Sequence, residues 1–335
     1  STSDIMKSFE KEGIKVISLG LSRKNVIFKC RGLIKLFRKE KPDVVHTWLY
    51  MADLIGGVCA KLASVPRVYW GIHNTYLGRD KVPWLTRFVV KLNSLLSHII
   101  PDKIISCSRV AIDIHRNKGY SKGKFIFIPN GVDINDLILF DDVDNIQLTT
   151  ELGIEKNDFV IGFIARYDVL KNHRGFLQSC QKLFNYNLER NFKVLLVGDG
   201  LTNENEEVLD LLSEFGLRDN VALLGYRSDV SRIINILDLS VLFSWGEAFP
   251  NVIIESMIYG KPFLASNVGD CKYVIGDGGS IVESGDMQEL AKQMSNYINM
   301  DDNSLKELGE TAKNRVLTHF TMDIVAENHL DCYGS

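Results

Sequence analysis

Short apolar blocks alternate with longer stretches of helical spacing along the whole chain. In the first half the blocks at 15–20, 44–48, 67–70, 104–107 and 125–128 read as strands. Between them Leu33, Ile34 and Phe37 make a helical stripe among Arg31, Lys35, Arg38 and Lys39, and Pro42-Asp43 ends it. Residues 53–64 bring Leu54, Ile55, Val58, Cys59 and Leu62 onto a helix. The second half repeats the alternation, with strands expected at 159–165, 193–197, 221–224, 239–243, 262–265 and 279–282. Helices are expected between them, notably at 204–215, 230–237, 251–259 and 286–300. The strand blocks are near-continuous apolar runs, the pattern of strands covered on both faces. The expected fold class is therefore α/β, with two Rossmann-like, doubly wound parallel-sheet domains facing a central cleft. A ligand is expected at the carboxyl ends of the strands, in that cleft.

Residues 133–150 hold five Asp and show no clear period, so 136–150 is expected to be a linker. Residues 1–135 then form an N-terminal domain and 151–315 a C-terminal one. Residues 316–335 read as a C-terminal helix packing back toward the N-terminal domain. The sequence starts in the tail of a helix, near 5–12, and enters an apolar block at once. A doubly wound domain opens with a strand, a Gly-rich turn and a helix, so that opening unit is expected to be missing from this stretch.

Composition narrows the class. The chain has 335 residues, 45% hydrophobic and 24% charged, which is ordinary for a globular protein. Its net charge of −3 hides a split. Residues 1–135 carry 23 Lys and Arg against 10 Asp and Glu, a net of +13, and the remainder carries −16. The change of sign falls at the inferred boundary. The six cysteines form no C-x-x-C pair, and no His lies near any of them in a recognisable pattern. They read as reduced thiols of a cytoplasmic protein rather than as a disulfide framework, a zinc site or a nucleophile. No secretory leader opens the sequence. No apolar run approaches the roughly 18 residues that suggest a membrane span.

The densest chemical signal is Glu247-Ala-Phe-Pro-Asn-Val-Ile-Ile-Glu255. Pro250 suits the start of a helix, which puts free N–H groups near Asn251 at an expected phosphate site. Glu255 falls about one turn into that helix, where a carboxylate can accept both hydroxyls of a ribose. Glu247 lies in the preceding loop, within reach of sugar hydroxyls. Arg166 and Lys171 follow the strand at 159–165, and both cations suit a phosphate. Gly198-Asp-Gly200 is a tight turn at the end of the strand 193–197, suited to close backbone approach. His73-Asn74-Thr75 follows the strand 67–70, and His73 is a candidate for hydrogen bonding or proton movement. Each signal is weak alone: a loop Glu, two solvated cations, a common turn and a structural His explain them equally well.

Taken in order, the motifs form a set. The second half gives Ala165-Arg166, Lys171-Asn172, Leu195–Gly200, Leu224-Gly225-Tyr226, Ser244 through Glu255, and Gly260-Lys261-Pro262. The first half gives Lys41 through His46, His73-Asn74, and Ile128 through Asp133. Over nearly its whole length the sequence resembles the retaining glycosyltransferases of family four (group 1), with the GT-B fold. It is similar to enzymes of bacterial surface-polysaccharide assembly. The resemblance implies that Arg166 and Lys171 hold a donor diphosphate, that Glu255 binds the ribose, and that Glu247 contacts the donor sugar. Backbone around Phe249, Pro250, Asn251 and Val252 would lie near sugar and phosphate, and His73 by the donor sugar. The base would lie against Tyr226 and Arg227, near the turn of Gly198 and Gly200. It implies a nucleotide-diphosphate sugar, UDP-linked, as substrate, with no cofactor and no metal. Asp142-Val-Asp144 resembles a metal-binding D-x-D only superficially. The family's first strand and Gly-rich loop have no counterpart here, and the match begins near residues 13–19.

The basic half is the acceptor half in that family. Residues 79–103 place Trp84, Leu85, Phe88, Val89, Leu92, Leu95, Leu96, Ile99 and Ile100 on a wide helical stripe, with Arg79, Lys81, Arg87 and Lys91 near its start. One reading is a core helix. The other is a face that, with the basic helix at 31–41, meets an anionic membrane surface and reaches a glycan or lipid-pyrophosphate acceptor. A nucleotide-sugar epimerase of the same architecture and a non-catalytic nucleotide-sugar-binding protein remain as alternatives. Nucleic-acid binding has charge in its favour and no recognition motif.

Overall fold

A computed structural model describes residues 2–20, 26–75, 83–135, 137–138 and 140–334. Its first elements are α1 (Thr2–Lys11), α2 (Val26–Glu40), β1 (Val44–Trp48), α3 (Tyr50–Leu62), β2 (Arg67–Ile72), α4 (Trp84–Leu96), β3 (Lys103–Ser106), α5 (Arg109–Asn117) and β4 (Phe125–Phe127). There follow α6 (Asp142–Glu151), β5 (Phe159–Ile164), α7 (His173–Leu183), β6 (Phe192–Val197), α8 (Glu206–Glu214), β7 (Val221–Gly225), α9 (Val230–Asn235) and β8 (Leu239–Leu242). The last are α10 (Asn251–Met257), β9 (Phe263–Ser266), α11 (Cys271–Ile275), β10 (Gly279–Val282), α12 (Met287–Ile298), α13 (Asp302–His319) and α14 (Met322–Gly334).

By its internal contacts the chain forms two compact units. The first comprises Ser1–Gly71, Pro83–Ile104 and Gly119–Lys124; the second comprises Ile72–Val82, Ile105–Lys118 and Phe125–Ser335. One sheet has four strands in the order β1-β2-β3-β4, with β1 parallel to β2. The other lies wholly within the second unit, has the order β10-β9-β8-β5-β6-β7, and is parallel at every pairing. The α/β class read from the sequence is what folds.

The six-stranded sheet explains why its strands read as unbroken apolar runs. On β5, Phe159, Ile161 and Phe163 turn to one face and pack with Phe176, Leu177 and Cys180 of α7 and Leu290 and Met294 of α12. Val160 turns to the other face, with Leu148, Ile233 and Leu237. Alternate residues of one strand thus enter opposite cores, so every position is apolar. Truncating a side chain such as Phe163 here would cost about 3–5 kcal/mol.

The local structure differs from expectation at three places. Residues 15–20 form no strand, and Ile17 is exposed. A strand is stable only when paired, and among the described residues the four-stranded sheet ends at β1 on its outer side. The expected linker is helical from Asp142 onward. Asp141 caps α6 by accepting a hydrogen bond from the Asp144 N–H at 2.8 Å, and Leu148 is fully buried. Acidic residues at a helix start oppose its dipole, so the Asp cluster that looked aperiodic is a helix signal. The helix expected at 316–335 is α14, which starts at Met322, after α13 has ended and Thr321 has bridged to Val132. Arg79, Lys81, Asp136 and the side chain of Asp142 lie outside the described residues.

Candidate active site

In the six-stranded sheet the order runs from β5 to β6 and β7 one way, and through β8, β9 and β10 the other. Between β5 and β8 the sequence order reverses, and loops leaving there diverge and open a crevice. Those loops carry Arg166 and Lys171 after β5 and Glu247 after β8.

The β5 loop is shaped by its own polar residues. Asp168 accepts a hydrogen bond from the Leu170 N–H at 2.8 Å and starts a short 3-10 turn over Val169–Lys171. That bond, and the Arg166 guanidinium beside it, hold the Asp168 carboxyl below its usual range. Asn172 follows in the left-handed region, φ 53°, and its Oδ1 accepts from the Gly175 N–H to start α7. His173 is packed between the rings of Phe163 and Tyr167, and burial pushes it down to about 4. The Trp245 N–H donates to the Leu170 carbonyl at 2.8 Å, which ties the β5 and β8 loops together.

That tie brings Lys171 to Glu247. Lys171 Nζ donates to Glu247 Oε1 at 2.6 Å, and Ser244 Oγ donates to the same oxygen at 2.6 Å. The two side chains are enclosed, at 22% and 11% exposure. Arg166 is different: its side chain is 69% exposed and pairs with Asp168 at 3.3 Å.

Backbone contacts fix the Glu247 loop. Thr75 Oγ1 donates to the Glu247 carbonyl at 2.8 Å, and the Asp270 N–H donates to the Ala248 carbonyl at 3.0 Å. Gly269 sits at φ 53°, and a side chain there would collide with the carbonyls of Glu247 and Ala248. Asp270 accepts from Ser108 Oγ, the Arg109 N–H and the Val110 N–H at 2.8, 2.9 and 3.1 Å, which caps α5. His73 follows β2 in the same unit, with Nδ1 3.4 Å from Cys107 Sγ. Adjacent strand ends thus bring together a His and a Cys that no local sequence pattern connects. Burial pushes the Cys107 thiol up to about 12 and His73 down, so at neutral pH the thiol is protonated and the imidazole neutral.

The remaining residues line neighbouring strand ends. The Gly198 N–H donates to the Gly225 carbonyl at 2.8 Å, and any side chain at 198 would strike the Ala165 carbonyl. Gly200, φ 80°, lies against Tyr167. Tyr226 is exposed after β7, while the Arg227 guanidinium is held by both oxygens of Asp229 at 2.8 and 2.7 Å. Phe249 is buried against Phe320, and Pro250 is the residue before α10. Asn251 Oδ1 accepts from Asn130 Nδ2 at 2.8 Å, and Val252 is half-buried. Glu255 keeps an open surface, yet surrounding protein raises its carboxyl above the usual range. Among the described residues no hydrogen bond joins Tyr226, Arg227 or Glu255 to the Lys171–Glu247 pair. Ser244, Thr75 and Asp270 are contributions that spacing alone did not single out.

A doubly wound sheet with loops diverging at its switch point defines an α/β protein, and the enclosed cation–carboxylate pair there marks the candidate site. The chain belongs to the glycosyl transferases group 1 family: that family's model matches residues 144–315, just over half of it, and the Glycosyltransferase Family 4 model matches residues 7–136. It is a retaining glycosyltransferase of the GT-B fold. It is 26% identical over 301 residues to the UDP-Gal:alpha-D-GlcNAc-diphosphoundecaprenol alpha-1,3-galactosyltransferase of Escherichia coli, covering 87% of this chain and 75% of that one. It is 28% identical over 312 residues to the capsular polysaccharide biosynthesis glycosyltransferase CapM of Staphylococcus aureus, covering 90% and 79%. The fold matches the crystal structure of Anabaena Alr3699/HepE in complex with UDP-glucose, with TM-score 0.83 at 20% identity over 98% of this chain and 88% of that one.

Proposed function

We propose that this enzyme transfers a sugar from a UDP-sugar to a glycan or lipid-pyrophosphate acceptor, at the cytoplasmic face of a membrane, during assembly of a surface polysaccharide or other glycoconjugate. The observation that carries the reading is the enclosed Lys171–Glu247 pair at the β5/β8 switch point. The UDP-Gal donor and diphosphoundecaprenol acceptor in the Escherichia coli relative's name support the substrate classes.

The reaction breaks the bond between the sugar's C1 and the donor phosphate and forms one from C1 to an acceptor hydroxyl oxygen. The nucleoside diphosphate leaves with the electron pair of the broken bond, and the hydroxyl proton is released. Charge develops on the leaving diphosphate, and a fixed cation in an enclosed site stabilises it more than water does. Lys171 supplies that cation from a held position, and Arg166 adds a second from the open side of the same loop. The residues thus provide charge stabilisation of the kind a metal would otherwise supply, so transfer proceeds without one. Glu247 orients the ammonium through Oε1. Its Oε2 accepts no hydrogen bond among the described residues, and in this reading takes one from a sugar hydroxyl. His73 Nδ1 is paired with Cys107 Sγ, which orients the neutral imidazole beside the donor sugar. Glu255 binds the ribose; Tyr226, Arg227 and the turn of Gly198 and Gly200 flank the base; and the backbone of Phe249, Pro250, Asn251 and Val252 meets the sugar and phosphate.

The test is a thermal-shift screen across UDP-, GDP- and ADP-sugars without added metal, followed by acceptor-dependent release of the diphosphate. Stabilisation by a UDP-sugar, and diphosphate release only with acceptor, support the reading. Preference for a purine nucleotide overturns the donor assignment, and binding without turnover on any acceptor overturns transfer.

A further inference from the structure

Asp270 stands just before α11, where an Asp ordinarily accepts from the first N–H groups of its own helix. Its side chain makes no such cap. The carboxylate is buried and turns instead to the start of α5, 160 to 162 residues earlier in the chain. Oδ1 accepts from Ser108 Oγ and the Val110 N–H, and Oδ2 accepts from the Arg109 N–H. Ser108 Oγ in turn accepts from the Ala111 N–H at 3.1 Å, so the first turn of α5 has three of its open donors satisfied. Both oxygens of the carboxylate are used. An amide in its place has one acceptor oxygen and points its own N–H donors at donors. A local cap on α11 is thus given up for a contact with a distant element.

The same segment reaches the Glu247 loop by two routes. The polar route is the backbone: the Asp270 N–H donates to the Ala248 carbonyl, and Gly269 lies bare against the Glu247 carbonyl. The apolar route starts at Arg109, whose guanidinium lies over the Tyr273 ring at 3.8 Å. Tyr273 meets Phe320 at 5.8 Å, and Phe320 meets Phe249, two residues past Glu247, at 5.9 Å. We infer that Asp270 is a positioning residue for Glu247. By fastening residues 269–273 to the start of α5, it fixes the carbonyls of the Glu247 loop and, through them, the carboxylate that holds Lys171. The inference rests on the proposed role of Glu247 in transfer.

The experiment compares Asp270→Asn in the wild-type and Glu247→Gln backgrounds of the full chain. Acceptor-dependent kcat, UDP Kd and backbone amide exchange are measured. Alone, Asp270→Asn should lower kcat about tenfold and leave the UDP Kd within about threefold. The Trp245 amide, which ties the Glu247 loop to Leu170, should exchange about tenfold faster, while the amides of β6 keep their wild-type rates. In the Glu247→Gln background the same substitution should change kcat by less than about twofold, because the group it positions is already altered. Asp141→Ala, which removes a helix cap on α6, should leave kcat as in the wild type. If Asp270→Asn does not fold, Ser108→Ala removes one of the three bonds and is read in the same two backgrounds, with an expected loss of about threefold. Equal losses in both backgrounds, or unchanged Trp245 exchange, overturn the inference and leave the proposed function standing. Unchanged turnover in Glu247→Gln alone overturns the role of Glu247 and the inference with it.

Discussion

Lys171 and Arg166 sit on the same loop after β5, each beside a carboxylate, and their surroundings differ. Lys171 reaches across the switch point to Glu247, whose Oε1 also takes the Ser244 hydroxyl, and the pair is largely closed to solvent. Arg166 reaches back to Asp168 on its own loop and stays mostly in water. An exposed pair of the second kind contributes about 0–1 kcal/mol to stability and is screened by salt. An enclosed pair is expensive to break, because one charge is left without its partner. The same enclosure keeps the ammonium in one position, which is what stabilising a leaving diphosphate needs. The structure therefore ranks two cations that the sequence leaves equal.

That ranking is open to direct attack. Lys171→Ala should lower kcat/KM by about 10² to 10³-fold and cost about 2–3 kcal/mol in urea unfolding, since Glu247 loses its counter-charge. Arg166→Ala should lower kcat/KM by only about tenfold and change stability by less than about 0.5 kcal/mol. An Arg166 effect as large as that of Lys171 would erase the distinction. A third test falls on His173, buried two residues past Lys171. His173 is held down to about 4 by burial, below an unfolded value of about 6.5. The unfolded chain takes up this proton first, so the stabilisation is complete above about pH 6.5 and is lost as pH falls toward 4. His173→Phe keeps an aromatic ring between Phe163 and Tyr167. It should leave turnover at pH 7.5 near wild type and recover about 1 kcal/mol of the stability lost between pH 7.5 and 5.5. An unchanged pH slope in that variant contradicts the assignment.

The strands of the six-stranded sheet were legible because both of their faces are buried, so Phe159–Ile164 and Phe192–Val197 read as unbroken apolar runs. The run at 15–20 looked similar but has no neighbour to pair with, and pairing is not written in a local pattern. The Asp cluster before α6 does not announce a helix, because the residues that mark a loop are also those that cap a helix. In the candidate site the residue types and strand ends were readable one at a time. Their meetings were not: Lys171 with Glu247, Thr75 with the Glu247 carbonyl, and His73 with Cys107 depend on which strands lie side by side. Strand order comes from packing the whole sheet. α4 shows a different gap: Val89 and Val90 are buried while Trp84 and Phe88 are exposed, and its apolar stripe could not distinguish a core face from an outward one.

The most direct test of the central claim is Glu247→Gln, measured for kcat in acceptor-dependent transfer and for UDP affinity by calorimetry. Gln keeps the size of the side chain and an oxygen for Ser244 and Lys171, and removes only the charge that holds the ammonium. The account predicts a fall in kcat of about 10²-fold with the UDP Kd unchanged within about threefold. Turnover equal to wild type, or a loss of UDP binding as large as the loss of turnover, would contradict it.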